Sequence, residues 1–219
     1  NFVLHETGQP LHTFDASTIV GNQIVVQTVA NKTKFKTLDS IERELSNQDL
    51  MICNAKTPMC IAGVFGGIAS GVSNETTSIF IESAYFNAVS IRKTAKRHGL
   101  NTDASFRYER GADPNLTIYA LKRTVNLIQE VAGGVVSSEL VDVYPNPIPN
   151  VEVDFSFENC FRLIGQQIDK KVIKKILTDL EIEILAADNE QLRLSIPPFK
   201  ADVQREVDVI EEVLRIYGY

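Results

Sequence analysis

From Gln23 to Gly67 the pattern of apolar runs and turn residues is that of short β-strands. Ile24–Thr28 is β-branched, Phe35–Leu38 and Ile41–Leu45 bracket a turn at Asp39-Ser40, and Leu50–Cys53 and Met59–Val64 flank Lys56-Thr57-Pro58. Short runs bounded by turn residues predict a compact antiparallel or barrel-like sheet. Before them, residues 1–15 read as a helix end broken by Gly8 and Pro10, with His12 in the loop beyond. After them, an apolar strand from Ser78 to Ser83 carries one carboxylate, Glu82, near its end. A basic helix from Asn87 to Arg97 follows, stopped by His98-Gly99, then a polar loop, Thr102-Asp103-Ala104-Ser105, and a charged turn, Arg107–Gly111. Helical spacing of Ile118, Leu121, Val125, Ile128 and Val131 predicts a helix from Pro114 to Ala132, and Val135–Val143 returns as a strand.

The pattern changes at Tyr144-Pro145-Asn146-Pro147-Ile148-Pro149, a proline-rich linker that places a domain boundary between 1–146 and 147–219. Beyond it, a strand at Val151–Phe155, a short helix at Phe157–Leu163 and a helix capped by Asp169 precede a hairpin, Ile182–Leu185 with Leu192–Ile196. A last helix is predicted from Asp202 to Tyr217. The expected class is α+β: a mixed or antiparallel β-rich first domain with packed helices, then a small winged-helix-like module.

Composition narrows the possibilities. The net charge of −6 is concentrated in residues 151–219, which hold nine basic and fourteen acidic side chains. Neither part is a generally cationic nucleic-acid surface, so any nucleic acid must bind locally. No stretch approaches the roughly 20 apolar residues of a membrane span. Cys53, Cys60 and Cys160 lack metal spacing and suggest reduced, buried thiols in a cytoplasmic protein. The chain opens on Asn1-Phe2-Val3-Leu4 and reads as a piece of something longer.

Candidate chemistry gathers in two places. A strand that ends on a buried charge requires a partner, which draws attention to Glu82 and the polar loop after it. Gly63-Val64-Phe65-Gly66-Gly67 lacks phosphate-loop spacing; it is either a tight turn or a place where Gly66 lets a ligand approach the backbone. On the last helix, Asp208, Glu211 and Glu212 fill one wedge, with Asp202 two turns earlier. That wedge is either a solvated face steadied by Arg205 and Arg215 or a hard-cation site suited to Mg²⁺.

The segments GQPLHTFD, IAGVFGGIASGVS, IESAYF and RHGLNTDASFRYERGADP, with the tail VQREVDVIEEVLRIYGY, occur in that order. Together they resemble the β subunit of bacterial phenylalanyl-tRNA synthetase across the whole chain, from its editing domain into the small domain that follows. The resemblance implies an editing pocket lined by His12, Gly66, Glu82, Thr102 and Ala104, with His12, Glu82 and Thr102 as catalytic candidates and Gly66, Glu82 and Ala104 as substrate-binding ones. It implies a Mg²⁺ site at Asp202, Asp208, Glu211 and Glu212 shared with an α subunit. ATP and aminoacylation would belong to that subunit in an α2β2 assembly. Thr13 is a departure, since many members have Ala there. The implied activity is hydrolysis of tyrosine wrongly esterified to tRNA(Phe), in the cytoplasm and without membrane contact.

Physics makes that implication coherent. An apolar pocket built for phenylalanine discriminates weakly against an added hydroxyl. A second site that offers an acceptor such as Glu82 can read the hydroxyl. His12 would orient or activate water. Arg92, Lys93, Lys96 and Arg97 either border the acceptor end of the tRNA or form a solvated helix face. The competing expectations are a nonenzymatic RNA-binding and assembly fragment, and a metal hydrolase built on the acidic helix.

Overall fold

The computed structural model describes residues 1–218, which fall into two compact units, Asn1–Val143 and Tyr144 onward. The first begins with α1 (Phe2–Thr7) and β1 (Leu11–Asp15). Next come β2 (Val25–Thr28), β3 (Lys34–Lys36), β4 (Glu42–Glu44), β5 (Leu50–Cys53), β6 (Pro58–Ile61) and β7 (Phe65–Gly66). The unit closes with β8 (Ile79–Ser83), α2 (Ala88–His98), α3 (Asp103–Tyr108) and α4 (Thr117–Ala132).

The strands form three small antiparallel sheets. β2-β5-β6-β7 is the largest, β3 pairs with β4, and β1 pairs with β8. The last pairing joins residues about 70 positions apart and sets His12 directly opposite Glu82 and Phe14 opposite Phe80. One core holds the unit together. Phe14, Met51 and Ile61 are fully buried, and Ile52, Ile91 and Tyr108 nearly so. The antiparallel, helix-packed class matches expectation, but three local readings change. His12 lies on a strand, because Gly8 caps α1 in a left-handed conformation and frees the chain to extend. The Thr102–Ser105 segment opens a helix instead of a loop. Val135–Val143 is not a strand. Val135, Val141 and Val143 are largely exposed, and β propensity alone supplies no ladder partner.

The C-terminal end of α2 is tied down by a charge inside the protein. Asp49 is fully buried and accepts from the Ser46 amide at 2.8 Å, Thr94 at 3.0 Å, Arg97, and His98 Nε2 at 2.7 Å. Burial opposes its ionisation, but the Ser46, His98 and Thr94 hydrogen bonds outweigh that and hold its pKa below the usual carboxylate range. This gives His98 the structural role its place at a helix end suggested, and it turns Arg97 inward.

The second unit comprises β9 (Val151–Ser156), α5 (Phe157–Ile164), α6 (Lys170–Asp179), β10 (Glu183–Ala187), β11 (Gln191–Ile196) and α7 (Glu206–Tyr217). Its sheet runs β10-β11-β9, antiparallel throughout, over a core that includes Phe155, Ile173, Leu177, Leu194, Val209 and Val213. α7 starts at Glu206, four residues later than the pattern predicts. Asp208 reaches back to accept from the Arg205 amide at 2.9 Å, so Asp202 lies outside the helix. Glu206 accepts from Ser156 N at 2.8 Å and Asn159 Nδ2 at 2.6 Å, pinning the start of α5. No helix among the described residues is long and apolar enough to cross a membrane.

Candidate functional site

Strand pairing brings the first two candidates together. In an antiparallel pair, directly opposed side chains share a face about 5 Å apart at Cβ, so His12 and Glu82 stand side by side. The glycine-rich turn and the start of α3 complete the walls. A cavity of about 400 Å³ is lined by His12, Gly66, Glu82, Thr102 and Ala104, together with Cys60, Tyr108 and their neighbours. The sequence-derived pocket candidates thus converge, although they come from four separated segments. The volume falls within the range of small-ligand sites.

Glu82 receives no hydrogen bond from any described residue, and burial pushes its pKa up to about 8. A carboxyl in this state is mostly protonated at pH 7 in the empty cavity. Its ionisation awaits either higher pH or a ligand that donates to it. Its influence extends outward. Burial first, then the Glu82 charge, raises the pKa of both the Cys60 thiol and the Tyr108 phenol.

His12 packs edge-on against Phe14, ring centroids 4.5 Å apart, and burial lowers its pKa. Its imidazole is therefore neutral at pH 7 and able to take a proton. Gly66 is what makes room for it. A Cβ there would lie 2.7 Å from His12 Cε1 and 2.9 Å from Leu38 Cδ1. The space beside Gly66 is thus filled by the imidazole ring of this chain.

Thr102 is the N-cap of α3. Its Oγ1 accepts from Ser105 N at 3.1 Å and donates to Val64 O at 2.8 Å, fastening the helix to the glycine-rich turn. The hydroxyl proton is already committed, so Thr102 holds the wall in place and is not poised to donate to a ligand. Ala104, in the first turn, contributes a small side chain and, with Asp103, a backbone N–H that has no hydrogen-bond partner among the described residues. Thr102→Val should cost about 1 kcal/mol of stability through the lost cap, read by urea denaturation, while Thr102→Ser should retain it. Equal stability of Val and Ser variants would remove the structural role.

Two further residues lie within the quoted motifs but carry no role there. Tyr108 was read as part of a charged turn; it is buried beneath the cavity, its hydroxyl within 3.0 Å of Ala84 O and 3.2 Å of Pro10 O. Gln9, also buried, donates to Ala84 O at 2.7 Å and Pro10 O at 3.0 Å. These bonds lock the strand ends that carry His12 and Glu82. Gly63, at φ 66°, fits under them because a Cβ would meet Phe86, Ile91 and Tyr108 at 3.0 Å or less.

The acidic candidates behave differently. Asp208 is held by Arg205, which keeps its pKa low, and Glu212 lies between Lys200 at 2.8 Å and Arg215 at 2.6 Å. Asp202 and Glu211 are exposed. No group of three or more His, Cys, Asp or Glu side chains among the described residues is placed to hold a metal ion. As a self-contained Mg²⁺ site, Asp202, Asp208, Glu211 and Glu212 do not fit, because cationic side chains already occupy two of the four. This also leaves the free-standing metal hydrolase without its centre.

Comparison with known proteins places this geometry. Residues 1–133 match the B3/4 domain family and residues 153–219 the tRNA synthetase B5 domain family. The class is therefore a B3/4 domain followed by a B5 domain. Over its full length the chain is 52% identical to the phenylalanine–tRNA ligase beta subunit of Bacteroides fragilis and 53% identical to that of Bacteroides thetaiotaomicron. It is 51% identical to the corresponding subunit of Porphyromonas gingivalis, and in all three it spans 27% of the relative's length. The chain belongs to the phenylalanine–tRNA ligase β-subunit family, of which it represents a segment. The chain also aligns over its whole length with 62% of a solved N-terminal fragment of the Pyrococcus horikoshii phenylalanyl-tRNA synthetase β subunit, at 15% identity and a TM-score of 0.49.

Proposed function

We propose that the His12–Glu82 cavity is a proofreading site that hydrolyses tyrosine esterified to tRNA(Phe). The observation that carries this reading is the pairing of a neutral imidazole with a carboxyl that has no donor among the described residues, inside one cavity of about 400 Å³. An aminoacyl ester is already activated, so the site needs an oriented water and a stabilised carbonyl oxygen more than a strong nucleophile. His12 takes the proton as water adds to the ester carbonyl carbon and returns it to the ribose 3′ oxygen as the acyl C–O bond breaks. The free amides at the start of α3 supply donors for the carbonyl oxygen. Glu82 accepts the tyrosine hydroxyl; phenylalanine offers nothing in its place, leaves the carboxyl unpaired and is released. Thr102 and Gly66 serve by holding α3 and His12 in position.

The reading extends to the whole enzyme. The chain works within a cytoplasmic α2β2 phenylalanine–tRNA ligase whose α subunit carries ATP binding and aminoacylation. The exposed Asp202 and Glu211 suit a contact with that subunit, and a shared Mg²⁺ would need ligands from it. The test is deacylation of tyrosyl- and phenylalanyl-tRNA(Phe) by the αβ enzyme containing this segment. Tyrosyl-tRNA should be cleaved at least tenfold faster. Equal rates for both esters would refute tyrosine-selective editing.

A further inference from the structure

A second cleft, of about 420 Å³, lies on the other side of α3 from the cavity. It is lined by Arg92 and Lys96 of α2, Leu100 and Asn101 of the connection, and Phe106 and Arg110 at the end of α3. Arg92 and Lys96 are four residues apart and rise on one helix face. Neither forms an ion pair among the described residues; Arg92 reaches only the Glu109 carbonyl, at 2.9 Å. Arg110 sits over the Phe106 ring, 3.6 Å from its centroid, and both are exposed. Glu109, paired with Arg110 at 2.6 Å, is the one acidic residue lining the cleft among the described residues. The basic helix therefore divides its labour: Arg97 turns in to buried Asp49, while Arg92 and Lys96 face open space.

We propose that this cleft holds the phosphodiester backbone of a single-stranded nucleic acid, with a base against the Phe106–Arg110 pair. Cations that track phosphates beside an exposed aromatic ring are the chemistry such strands require. The proposal rests on the ester-hydrolysis reading, and the strand is the unpaired 3′ end whose terminal ester enters the cavity. Proximity supports it. Asn101 lines the cleft and its neighbour Thr102 lines the cavity. Ala104 and Phe106, two residues apart on α3, project to opposite sides of a helix about 10 Å across. A strand leaving the cavity need only pass the N-terminal edge of α3 to reach Lys96 and Arg92.

The test uses the αβ enzyme and two substrates, tyrosyl-tRNA(Phe) and tyrosine esterified to adenosine alone. In Lys96→Glu and Arg110→Ala, the ratio of kcat/KM for the tRNA ester to that for the adenosine ester should fall at least tenfold, through KM. The salt dependence for the tRNA ester should become shallower by about one per cation removed. Lys93→Glu, on the same helix but outside both cavities, should change the ratio less than threefold. An unchanged ratio, an equal effect of Lys93→Glu, or dissociation of the subunits in Lys96→Glu would overturn the proposal; the last would mark the cleft as a subunit contact. If the unmodified enzyme cleaves neither ester, the hydrolytic reading fails by itself. The cleft is then judged by equilibrium binding of a short single-stranded RNA, which Lys96→Glu should weaken at least tenfold and which unchanged binding would contradict.

Discussion

Glu82→Ala should leave tyrosyl-tRNA(Phe) largely intact, with kcat/KM for its deacylation down by ten- to a hundredfold. The figure follows from losing a hydrogen bond to a charged acceptor, roughly 1.5–3 kcal/mol. The phenylalanyl ester should change little, so the selectivity ratio collapses toward one. Clearance of tyrosyl-tRNA at the normal rate would show that another group reads the hydroxyl. The raised pKa adds a pH signature. Glu82 titrates at about 8 in the empty cavity, and its ionised form is the stronger acceptor. Tyrosine-over-phenylalanine selectivity should therefore rise from pH 6.5 to pH 8.5 and be flat in Glu82→Gln.

The same group carries a stability prediction whose sign is opposite to that of a salt-bridged carboxylate. Because its folded pKa of about 8 exceeds the ordinary 4.5, the folded state holds the proton more tightly than the unfolded one. Its contribution is full below about pH 4.5 and is lost as pH rises to about 8, on the order of 3 kcal/mol by pH 7. Glu82→Gln should remove that slope and unfold at higher denaturant than the parent at pH 8, with the gap closing by pH 5. Parallel pH profiles for the two proteins would contradict the buried-carboxyl assignment.

Gly66→Ala should be the most damaging small change at the site. The new methyl would come within 2.7 Å of His12 Cε1 and 3.1 Å of Nε2. Leu38, which is 44% exposed, can swing away. The imidazole is packed against fully buried Phe14 on a strand paired along its length, so it cannot move without leaving its rotamer. Deacylation should fall ten- to a hundredfold while the thermal unfolding midpoint moves by only a few degrees. The acid limb of the pH–rate profile, set by His12 below pH 6.5, should shift or disappear. A normal rate with an unchanged acid limb would separate Gly66 from His12.

What the amino-acid order determined by itself was local and compositional. Short apolar runs flanking Lys56-Thr57-Pro58 marked β5 and β6, helical spacing marked α4 and α6, Gly99 and Gly165 stopped their helices in left-handed conformations, and Asp169 capped α6. The prolines from 145 to 149 set the expected boundary between residues 146 and 147, whereas the compact units divide between Val143 and Tyr144. The motifs carried the five cavity residues, because short segments keep their residue types wherever the chain takes them. Tertiary structure decided the rest, since the deciding contacts are distant in sequence. His12 faces Glu82 only through a pairing about 70 residues long-range, Thr102 spends its proton on Val64, and Asp208 and Glu212 are claimed by Arg205, Lys200 and Arg215. Val135–Val143 has strand composition and no ladder, while Glu82 owes its raised pKa to the walls around it. Ladder partners and desolvation are properties of what surrounds a residue, and spacing along a chain does not encode either one.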